Sequence, residues 1–499
     1  MFQTFRILVH SIFEFVSDFE IRISSLMMMN LKDKKVVVVG LGRTGLAAAR
    51  FLHRQGARVL VADTADEAQL GDSIRVLREM GIALELGSHR ITSFKNADLI
   101  VVSPGVSHTI EPIKQARSRD IPLMSEVELA SRFITEPIVA VTGTNGKTTT
   151  TELLKQMLKN SGISAFVGGN IGNPLIEYVN SGQKKQVVVA EISSFQLDTI
   201  DSFRPKISVL LNITADHLDR YPNFEAYADS KIRVFSNQQA DDVAVLNGSD
   251  PLIRAKTKKI KSQRLFFPAL QANEQGAILN GKKIILDLNK FWKKHREIQN
   301  LNSKIQNQVH LDLDKIRLRG RHNFENVCAA SLAALTSGAT LEGIQKTLDY
   351  FEGLAHRLEP VATVNGVQYY NDSKATNVDG VLRALDSFAK PVLLLMGGRD
   401  KGGNFSVLRD PIRKHAKELI VMGEAAETIR AALGQLLPTK VAASMQDAVA
   451  KAYQDADPQD VVLLSPGCSS FDWYDNYAER GDDFRRAVEE IEKRQAGKA

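Results

Sequence analysis

Cysteine is almost missing. Cys328 and Cys468 are the only two in a chain of 499 residues, far apart and without C-x-x-C spacing. That excludes a disulfide framework and a cysteine-built metal site, and it fits a protein of the reducing cytoplasm. A strong charge of one sign is also missing. The formal net charge is +6, whereas a nucleic-acid binder gathers its basic residues on one face or arm. The densest basic runs, "RAKTKKIKSQR" at 254–264 and "KFWKKHRE" at 290–297, read as solvated surface, so no nucleic-acid partner is expected. Nor is there a long unbroken apolar run near the start. "FRILVHSIFEFVSDFEIRI" is interrupted by His10, Glu14, Asp18, Glu20 and Arg22, too often to span a bilayer. It also lacks the basic segment, clean apolar core and small-residue cleavage site of a secretory signal. No stable membrane insertion is expected. Residues 1–30 read as an extension, and "MMMN" at 27–30 directly precedes the first good strand. Translation is therefore expected to start at Met27, Met28 or Met29.

What remains is an ordinary globular composition, 43% hydrophobic and 24% charged, long enough for two to four domains. Short β-branched runs alternate with helical stretches along the whole chain. "KKVVVVGLGRTGLAAARFLHRQGARVLVADT" (34–64) reads as strand, glycine turn, helix, strand. "PIVAVTGTNGKTTTTELLKQMLKNSG" (137–162) repeats strand, loop, helix, and "PVLLLMGGRDKGG" (391–403) and "DVVLLSPGCSS" (460–470) are further buried strands leading into polar turns. This alternation predicts stacked α/β domains with mostly parallel sheets. The polar segment 270–318 stands apart and predicts short antiparallel strands with a variable loop. The motifs all fall at carboxyl ends of strands, where open α/β sheets bind ligands.

Two of those turns are phosphate loops. "GLGRTG" at 40–45 is G-x-G-x-x-G between strand and helix, with Asp63 ending the next strand at the place of a ribose-binding acid. The pattern reports a diphosphate and a ribose. Those belong equally to a nicotinamide dinucleotide and to a UDP-sugar. In "VAVTGTNGKTTT" (139–150) the usual first glycine is replaced by Val141. Gly143 and Gly146 still bracket a tight turn. Lys147 and Thr148 open a helix whose N–H groups can cradle phosphates, the lysine on the β/γ oxygens and the threonine on Mg²⁺. Two such loops imply two nucleotides, each with its own domain. Glu191 ends the apolar strand "VVVA", where a carboxylate without a partner is costly, which favours a metal role.

The string "GTNGKTT" resembles the ATP loop of the Mur ligase family, which includes folylpolyglutamate synthase. "GGNIGNP" (168–174), "EISSFQLD" (191–198), "LNITADHLDRYPNFEAYADSKIRVF" (211–235) and "GRHNFENVCAA" (320–330) resemble that family's central domain in order. "GLAHRLE" (353–359), "YYNDSKATN" (369–377), "GGRDKG" (397–402) and "SPGCSSFDWYDNYAERGDDF" (465–484) resemble the C-terminal domain of its D-glutamate-adding branch, from about residue 31 to about residue 487 overall. The resemblance implies three domains: a Rossmann-like UDP-binding domain at 31–125, a P-loop ATPase-type central domain at 126–353, and a Rossmann-like amino-acid-binding domain at 354–499. It implies a cytoplasmic, monomeric enzyme of peptidoglycan precursor synthesis. That enzyme joins D-glutamate to UDP-N-acetylmuramoyl-L-alanine with ATP and two Mg²⁺, through an acyl phosphate.

The site residues follow as implications of the same resemblance. ATP would be held by Gly143, Thr144, Asn145, Gly146, Lys147, Thr148 and Thr149, by Asn323 and Asn326, three apart on one helix face, and by Arg357 and Asp372. Lys147, Glu191, His217 and Lys231 would form the catalytic group. Thr148, Glu191, His217 and Lys231 would be the metal-site set. By itself Lys231 reads as a surface helix residue; the resemblance implies a carbamylated lysine, an oxygen donor where an ammonium cannot serve. Arg43, Thr44, Asp63, Thr64 and Gly105 would hold UDP, with Asn170, Ser193, Gln196 and His217 along the rest of that substrate; Arg43 departs from the family pattern. Lys374, Thr376, Lys401, Ser470 and the backbone near Tyr477 would hold D-glutamate, whose two carboxylates require cations and N–H donors. A dinucleotide oxidoreductase built on GLGRTG would leave "GTNGKTT" unused. A ligase adding L-alanine, a diamino acid, a dipeptide or a glutamate to folate would share the ATP loop but not the C-terminal strings. A binding protein without catalysis would not need Lys147, Glu191, His217 and Lys231 together.

Overall fold

A computed structural model of the chain describes residues 29–218, 220–271, 273–288 and 309–496. The expected start among Met27–Met29 and the second basic run at 290–297 fall wholly or largely outside them. The described residues group into two compact units: the chain up to Pro137 together with Phe166–Arg204, and Ile138–Ala165 together with the chain from Pro205 onward.

The first unit carries a five-stranded sheet. Its strands are β1 (Lys35–Val39), β2 (Arg58–Asp63), β3 (Ala83–Leu86), β4 (Leu99–Val102) and β5 (Leu123–Ser125). Their order is β3-β2-β1-β4-β5, and every pairing is parallel. Parallel strands covered on both faces are apolar throughout, and β1 and β4 are buried almost along their whole lengths. The order reverses between β1 and β4, so the crevice at their carboxyl ends is the ligand position of such a sheet. The glycine turn after β1 lies there, and the Ser103 hydroxyl after β4 donates to the Gly40 carbonyl at 2.9 Å.

Unit one also holds β8 (Val187–Glu191), beside β7 (Ala165–Gly169) in its sheet. Here too the helix Glu126–Ser131 meets the start of the helix Leu175–Ser181: Glu126 Oε1 accepts the Ile176 N–H at 2.6 Å. Glu126 is 1% exposed, and its second carboxyl oxygen is buried with no partner. Burial pushes this carboxyl up to about 7, against backbone hydrogen bonds that pull it down.

In the second unit, β6 (Ile138–Thr142), β9 (Ile207–Leu210), β10 (Val243–Asn247) and β11 (Gln263–Phe267) run parallel in the order β11-β10-β9-β6. Antiparallel β12 (Gly276–Asn280), β13 (Lys283–Asp287) and β14 (Val309–Asp312) extend it, as the polar segment predicted. A further sheet contains β15 (Glu359–Val364), β16 (Val367–Asn371), β17 (Val392–Gly397), β18 (Ala416–Met422), β19 (Thr439–Ala442) and β20 (Val461–Gly467). Its order is β15-β16-β20-β17-β18-β19, parallel except for the first hairpin. One apolar cluster covers each of its faces, around Leu394, Val421 and Leu463 on one and Leu393, Ile420 and Val462 on the other. That alternation of neighbours is the strand period of two.

Arg480, 2% exposed, ties three strand ends of this sheet together. Its guanidinium donates to the Ser373 hydroxyl (3.0 Å) and to the carbonyls of Ser373 (2.8 Å), Gly397 (3.4 Å), Cys468 (3.1 Å) and Ser469 (3.2 Å). Burial lowers this guanidinium to about 10, so it remains a cation at neutral pH.

Glu126 makes stability depend on pH with a definite sign. A carboxyl raised from 4.5 to about 7 on folding binds more protons folded than unfolded. Its contribution is therefore present at low pH and is lost as pH rises through that interval. The loss at the top of the window is about 3 kcal/mol, at about 1.4 kcal/mol per unit. Glu126→Gln should remove it. Urea unfolding at about pH 5 and about pH 8 should show the variant gaining stability over the parent only at the higher pH; an equal effect at both would contradict a raised carboxyl.

Candidate active site

Val141 sits within β6, fully buried and paired with Val209. The phosphate loop therefore begins only at Gly143, and a side chain at 141 costs it nothing. At the loop itself glycine is obligatory. Gly146 has φ +86, and a Cβ there would lie 2.4 Å from Asn326 Oδ1; at Gly143, φ +149, it would lie 3.0 Å from Leu211 Cβ. Asn212, at the end of β9, fixes the loop from the side. It accepts the Asn145 N–H at 2.9 Å through Oδ1 and donates to the Asn145 carbonyl at 3.0 Å, while its own carbonyl accepts the Thr144 N–H. Thr144 is buried below, its hydroxyl 3.1 Å from both the Thr214 carbonyl and the Tyr227 hydroxyl.

The helix Lys147–Asn160 follows with no side-chain cap and no acidic residue in its first turn. Its leading N–H groups and positive dipole end thus face the loop mouth, an anion-binding arrangement. The Lys147 ammonium folds back to the carbonyls of Gly143 and Thr144, both at 2.8 Å. Thr148 is half-buried in that first turn.

Lys231, in the helix Phe224–Ile232, is 2% exposed. Its amine donates to the Gly143 carbonyl at 2.9 Å and lies 4.6 Å from the centre of the Tyr227 ring. The surface position that helical periodicity assigned is corrected here: a loop carbonyl and an aromatic face supply what a buried ammonium requires. His217 adopts φ +55, a rare conformation for a side-chain-bearing residue. Burial, with the cations of Lys401, Lys231 and Lys147, holds its imidazole below its ordinary value, against the pull of Asp216. Burial acting alone would raise Asp216, but His217, Lys401 and the Asn377 hydrogen bond together keep that carboxyl low.

A pocket at the loop brings together Asn145, Gly146, Thr149, Asn323, Asn326, Arg357 and Asp372, seven of the residues expected around ATP. Asn326 donates to Asn323 Oδ1 at 3.2 Å. Burial raises Asp372 to about 7, although the Leu358 N–H and the Ser465 hydroxyl bond to it. Lys374 also lines this pocket, its ammonium 3.5 Å from the centre of the Tyr477 ring. A second pocket joins His217, Thr376 and Lys401 with Asp216 and Asn377. The residues expected around D-glutamate are therefore divided. Thr376 and Lys401 share a pocket with His217, Lys374 faces the nucleotide side, and Ser470 and Tyr477 line neither pocket; Ser470 is buried, and the Tyr477 carbonyl accepts the Ser373 hydroxyl.

In the first unit Glu191 is 2% exposed at the end of β8. Asn170 Nδ2 donates to one carboxyl oxygen at 3.1 Å, and the other is buried without a partner. An orphaned buried carboxylate oxygen is a cation ligand in waiting. Among the described residues no three His, Cys, Asp or Glu side chains cluster as a metal site, so a cation would also draw on other donor types. Asp63 braces the glycine turn, its oxygens accepting the N–H groups of Leu41 and Ala65 at 2.6 and 2.8 Å. Gln196, 1% exposed, closes a capping box with Ser193. Arg43 donates to Asn173 Oδ1 at 3.1 Å. Thr64 and Gly105 are exposed and Thr44 half-buried around the same crevice.

Sequence reasoning missed Asn212, Asp216, His322, Asn377, Asp379 and Arg383. All but Asp379 and Arg383 lie inside strings already singled out. Asn212 could have been found from its place at a strand's carboxyl end. His322 lines the nucleotide-side pocket and is held at about 4, by burial first and then by Arg383 and Arg357.

A three-sheet α/β chain with a phosphate loop, a buried lysine and an orphaned carboxylate defines a nucleotide-using enzyme. The family descriptions that match are "Mur ligase MurD-like, N-terminal domain" over residues 34–125, "Mur ligase middle domain" over 141–334 and "Mur ligase, glutamate ligase domain" over 356–468. The chain belongs to the Mur ligase family. It is 50% identical over 462 residues to the UDP-N-acetylmuramoylalanine--D-glutamate ligase of Desulfosudis oleivorans, covering 93% of this chain and 97% of that one. It is 52% identical to the enzyme of the same name from Desulfatibacillum aliphaticivorans, covering 92% and 99%. Among solved structures it resembles MurF ligase of Thermotoga maritima in complex with ADP, at TM-score 0.57 and 15% identity over 93% of this chain and 100% of that one. A pseudomurein peptide ligase type C from Methanothermus fervidus gives TM-score 0.56 at 21% identity, over 92% and 100%. These two show the shared fold. The oxidoreductase reading of GLGRTG falls with the match of residues 34–125 to the MurD-like N-terminal domain.

Gly146→Ala should weaken ATP binding about tenfold or more, because a positive φ costs an alanine roughly 1–2 kcal/mol and the new methyl displaces Asn326. Calorimetric titration with ATP checks it. Unchanged affinity would separate Asn326 from the nucleotide site.

Proposed function

We infer that this chain joins D-glutamate to UDP-N-acetylmuramoyl-L-alanine, using ATP, in peptidoglycan precursor synthesis. The observation that carries this is the relatives named UDP-N-acetylmuramoylalanine--D-glutamate ligase, half identical over nearly their entire length. The phosphate loop and its two flanking pockets support the same chemistry.

The substrate carboxylate is a poor acyl donor. One of its oxygens attacks the γ-phosphorus of ATP, the bond to the bridging oxygen breaks, and ADP leaves. The acyl phosphate that results has a good leaving group. The free amine of D-glutamate attacks its carbonyl carbon, the C–O bond to phosphate breaks, and phosphate departs as the nitrogen gives up its proton. Charge builds on the phosphoryl oxygens, and preorganised cations and N–H groups stabilise it. The loop N–H groups from Gly143 to Thr149 and the Lys147 ammonium serve that role. Asn323, Asn326, Arg357 and Asp372 orient the nucleotide. His217 meets the donor carboxyl end, and Thr376 and Lys401 receive the amino acid. Lys374, Ser470 and Tyr477 belong to the same acceptor group.

Mg²⁺ fits the donors present, given the unpartnered Glu191 oxygen. Thr148 and Glu191 would hold one ion, and His217 with Lys231 as its carbamate a second. Bound there, Mg²⁺ neutralises phosphate charge. UDP would lie in the crevice of the first sheet, near Arg43, Thr44, Asp63, Thr64 and Gly105, with Asn170, Ser193 and Gln196 toward the muramoyl end. Domains at 31–125, 126–353 and 354–499, a monomer and a cytoplasmic location complete the reading. Among the described residues no helix is long and apolar enough to cross a membrane.

Phosphate release by the purified protein with ATP, UDP-N-acetylmuramoyl-L-alanine and a panel of amines tests it. Release is expected with D-glutamate and not with L-glutamate, L-alanine, L-lysine or meso-diaminopimelate. Release with another amine would move the specificity, and none with any amine would overturn the reading. Lys231→Ala should lose most of the turnover, about 100-fold, and isotopically labelled bicarbonate should give a carbamate resonance in the parent protein that the variant lacks. Parent-like turnover in the variant would remove the carbamate role.

A further inference from the structure

The helix Val378–Leu385 begins with two side chains that both reach away from it. Its N-cap, Asn377, accepts the Gly380 N–H and donates through Nδ2 to Asp216 at 2.9 Å. In the first turn, Asp379 Oδ2 accepts two bonds, each 2.7 Å: one from Arg383 Nε and one from Asn145 Nδ2. An aspartate–arginine pair four apart is ordinarily a local helix stabiliser. Here the same oxygen also holds a phosphate-loop side chain 234 residues away in sequence. Neither partner is freely solvated, since the Arg383 and Asp379 side chains are 21% and 17% exposed.

Position gives this contact a consequence. Asn145 has little freedom, because Asn212 fixes its N–H and its carbonyl. Asn145 and Arg383 line the pocket that contains Asn323 and Asn326, whereas Asp379 lines the pocket that contains His217 and Lys401. The carboxylate is thus part of a wall shared by both pockets.

We propose that Asp379 is a positioning residue that latches this helix to the phosphate loop, so that the nucleotide-side and amine-side pockets form together. It touches no reacting atom. It aligns Asn145 and Arg383 on one side, and the segment carrying Thr376 on the other. The proposal rests on the ligase reading above and adds a residue to it.

The test uses the full chain with Asp379→Ala, Asp379→Asn, Asn145→Ala and the double variant N145A/D379A. Asp379→Ala should raise KM for both ATP and D-glutamate about tenfold, while affinity for the UDP-linked substrate and the melting temperature stay near the parent's. Asp379→Asn keeps an acceptor and should restore both KM values to within about threefold of the parent's. The double variant should be no worse than the poorer single variant, the non-additivity of a direct contact. Unchanged KM values, additive losses, or losses that only follow a lowered melting temperature would overturn the latch. A parent protein without D-glutamate-dependent phosphate release would refute the ligase reading instead. The same double-variant cycle on ATP affinity, read by calorimetry, would then still decide the latch.

Discussion

A short loop that can carry no side chain at its two ends is the constraint on which the site rests. Gly146 lies against Asn326, Gly143 against Leu211 and Asn212, and between them Asn145 is held by the Asn212 side chain. None of these contacts is worth much alone, since one hydrogen bond contributes about 1 kcal/mol net. Their effect is geometric. They fix the leading N–H groups of the helix Lys147–Asn160 before a ligand arrives, so binding need not supply the ordering. They also bind the loop to two other pieces of chain, the end of β9 and the helix Arg321–Thr336. The loop, Asn326 and the strand end that leads to the His217 segment are thereby held together.

Much of this was legible because parallel α/β sheets place function at one end of each strand. Short apolar runs located β1, β4, β6, β8 and β20, and the polar residues just beyond them marked the site face. Asn323, Arg357 and Asp372, distant in sequence from Gly143, were expected around one nucleotide on the family resemblance and not on this patterning, and one pocket brings them together with Gly146. Patterning reports which side of an element is buried. It does not report which acceptor a particular side chain selects. Asp63, expected at a ribose, also braces the turn through Leu41 and Ala65, and Gln196, expected along the substrate, also caps its own helix. Both placements depend on backbone N–H groups whose directions are set only by the folded turn. Lys231 was illegible for the complementary reason, since its burial depends on a carbonyl and a ring brought in by the tertiary structure.

Two lysines of the site share one kind of contact. The Lys147 and Lys231 amines both donate to carbonyls of the loop. A lysine paired with an aspartate would have much of its field cancelled. A lysine on a carbonyl keeps its charge, while its desolvation is partly offset by hydrogen bonds. Burial first, and then the fields of Lys401, Lys231 and Lys147, hold the His217 imidazole below its ordinary value.

Arg480 is held in a similar way in the C-terminal sheet, by four carbonyls and one hydroxyl drawn from the ends of β16, β17 and β20. Those carbonyls converge on a guanidinium that is 2% exposed, and a buried carbonyl left alone would cost about 1–3 kcal/mol. A planar fork with five N–H donors meets them together, which a lysine with three donors on one nitrogen could not do. The strand ends it gathers lead directly into Lys374 and Ser470, two of the acceptor-side residues. Backbone carbonyls, which every strand end has in surplus, thus hold the buried guanidinium in place.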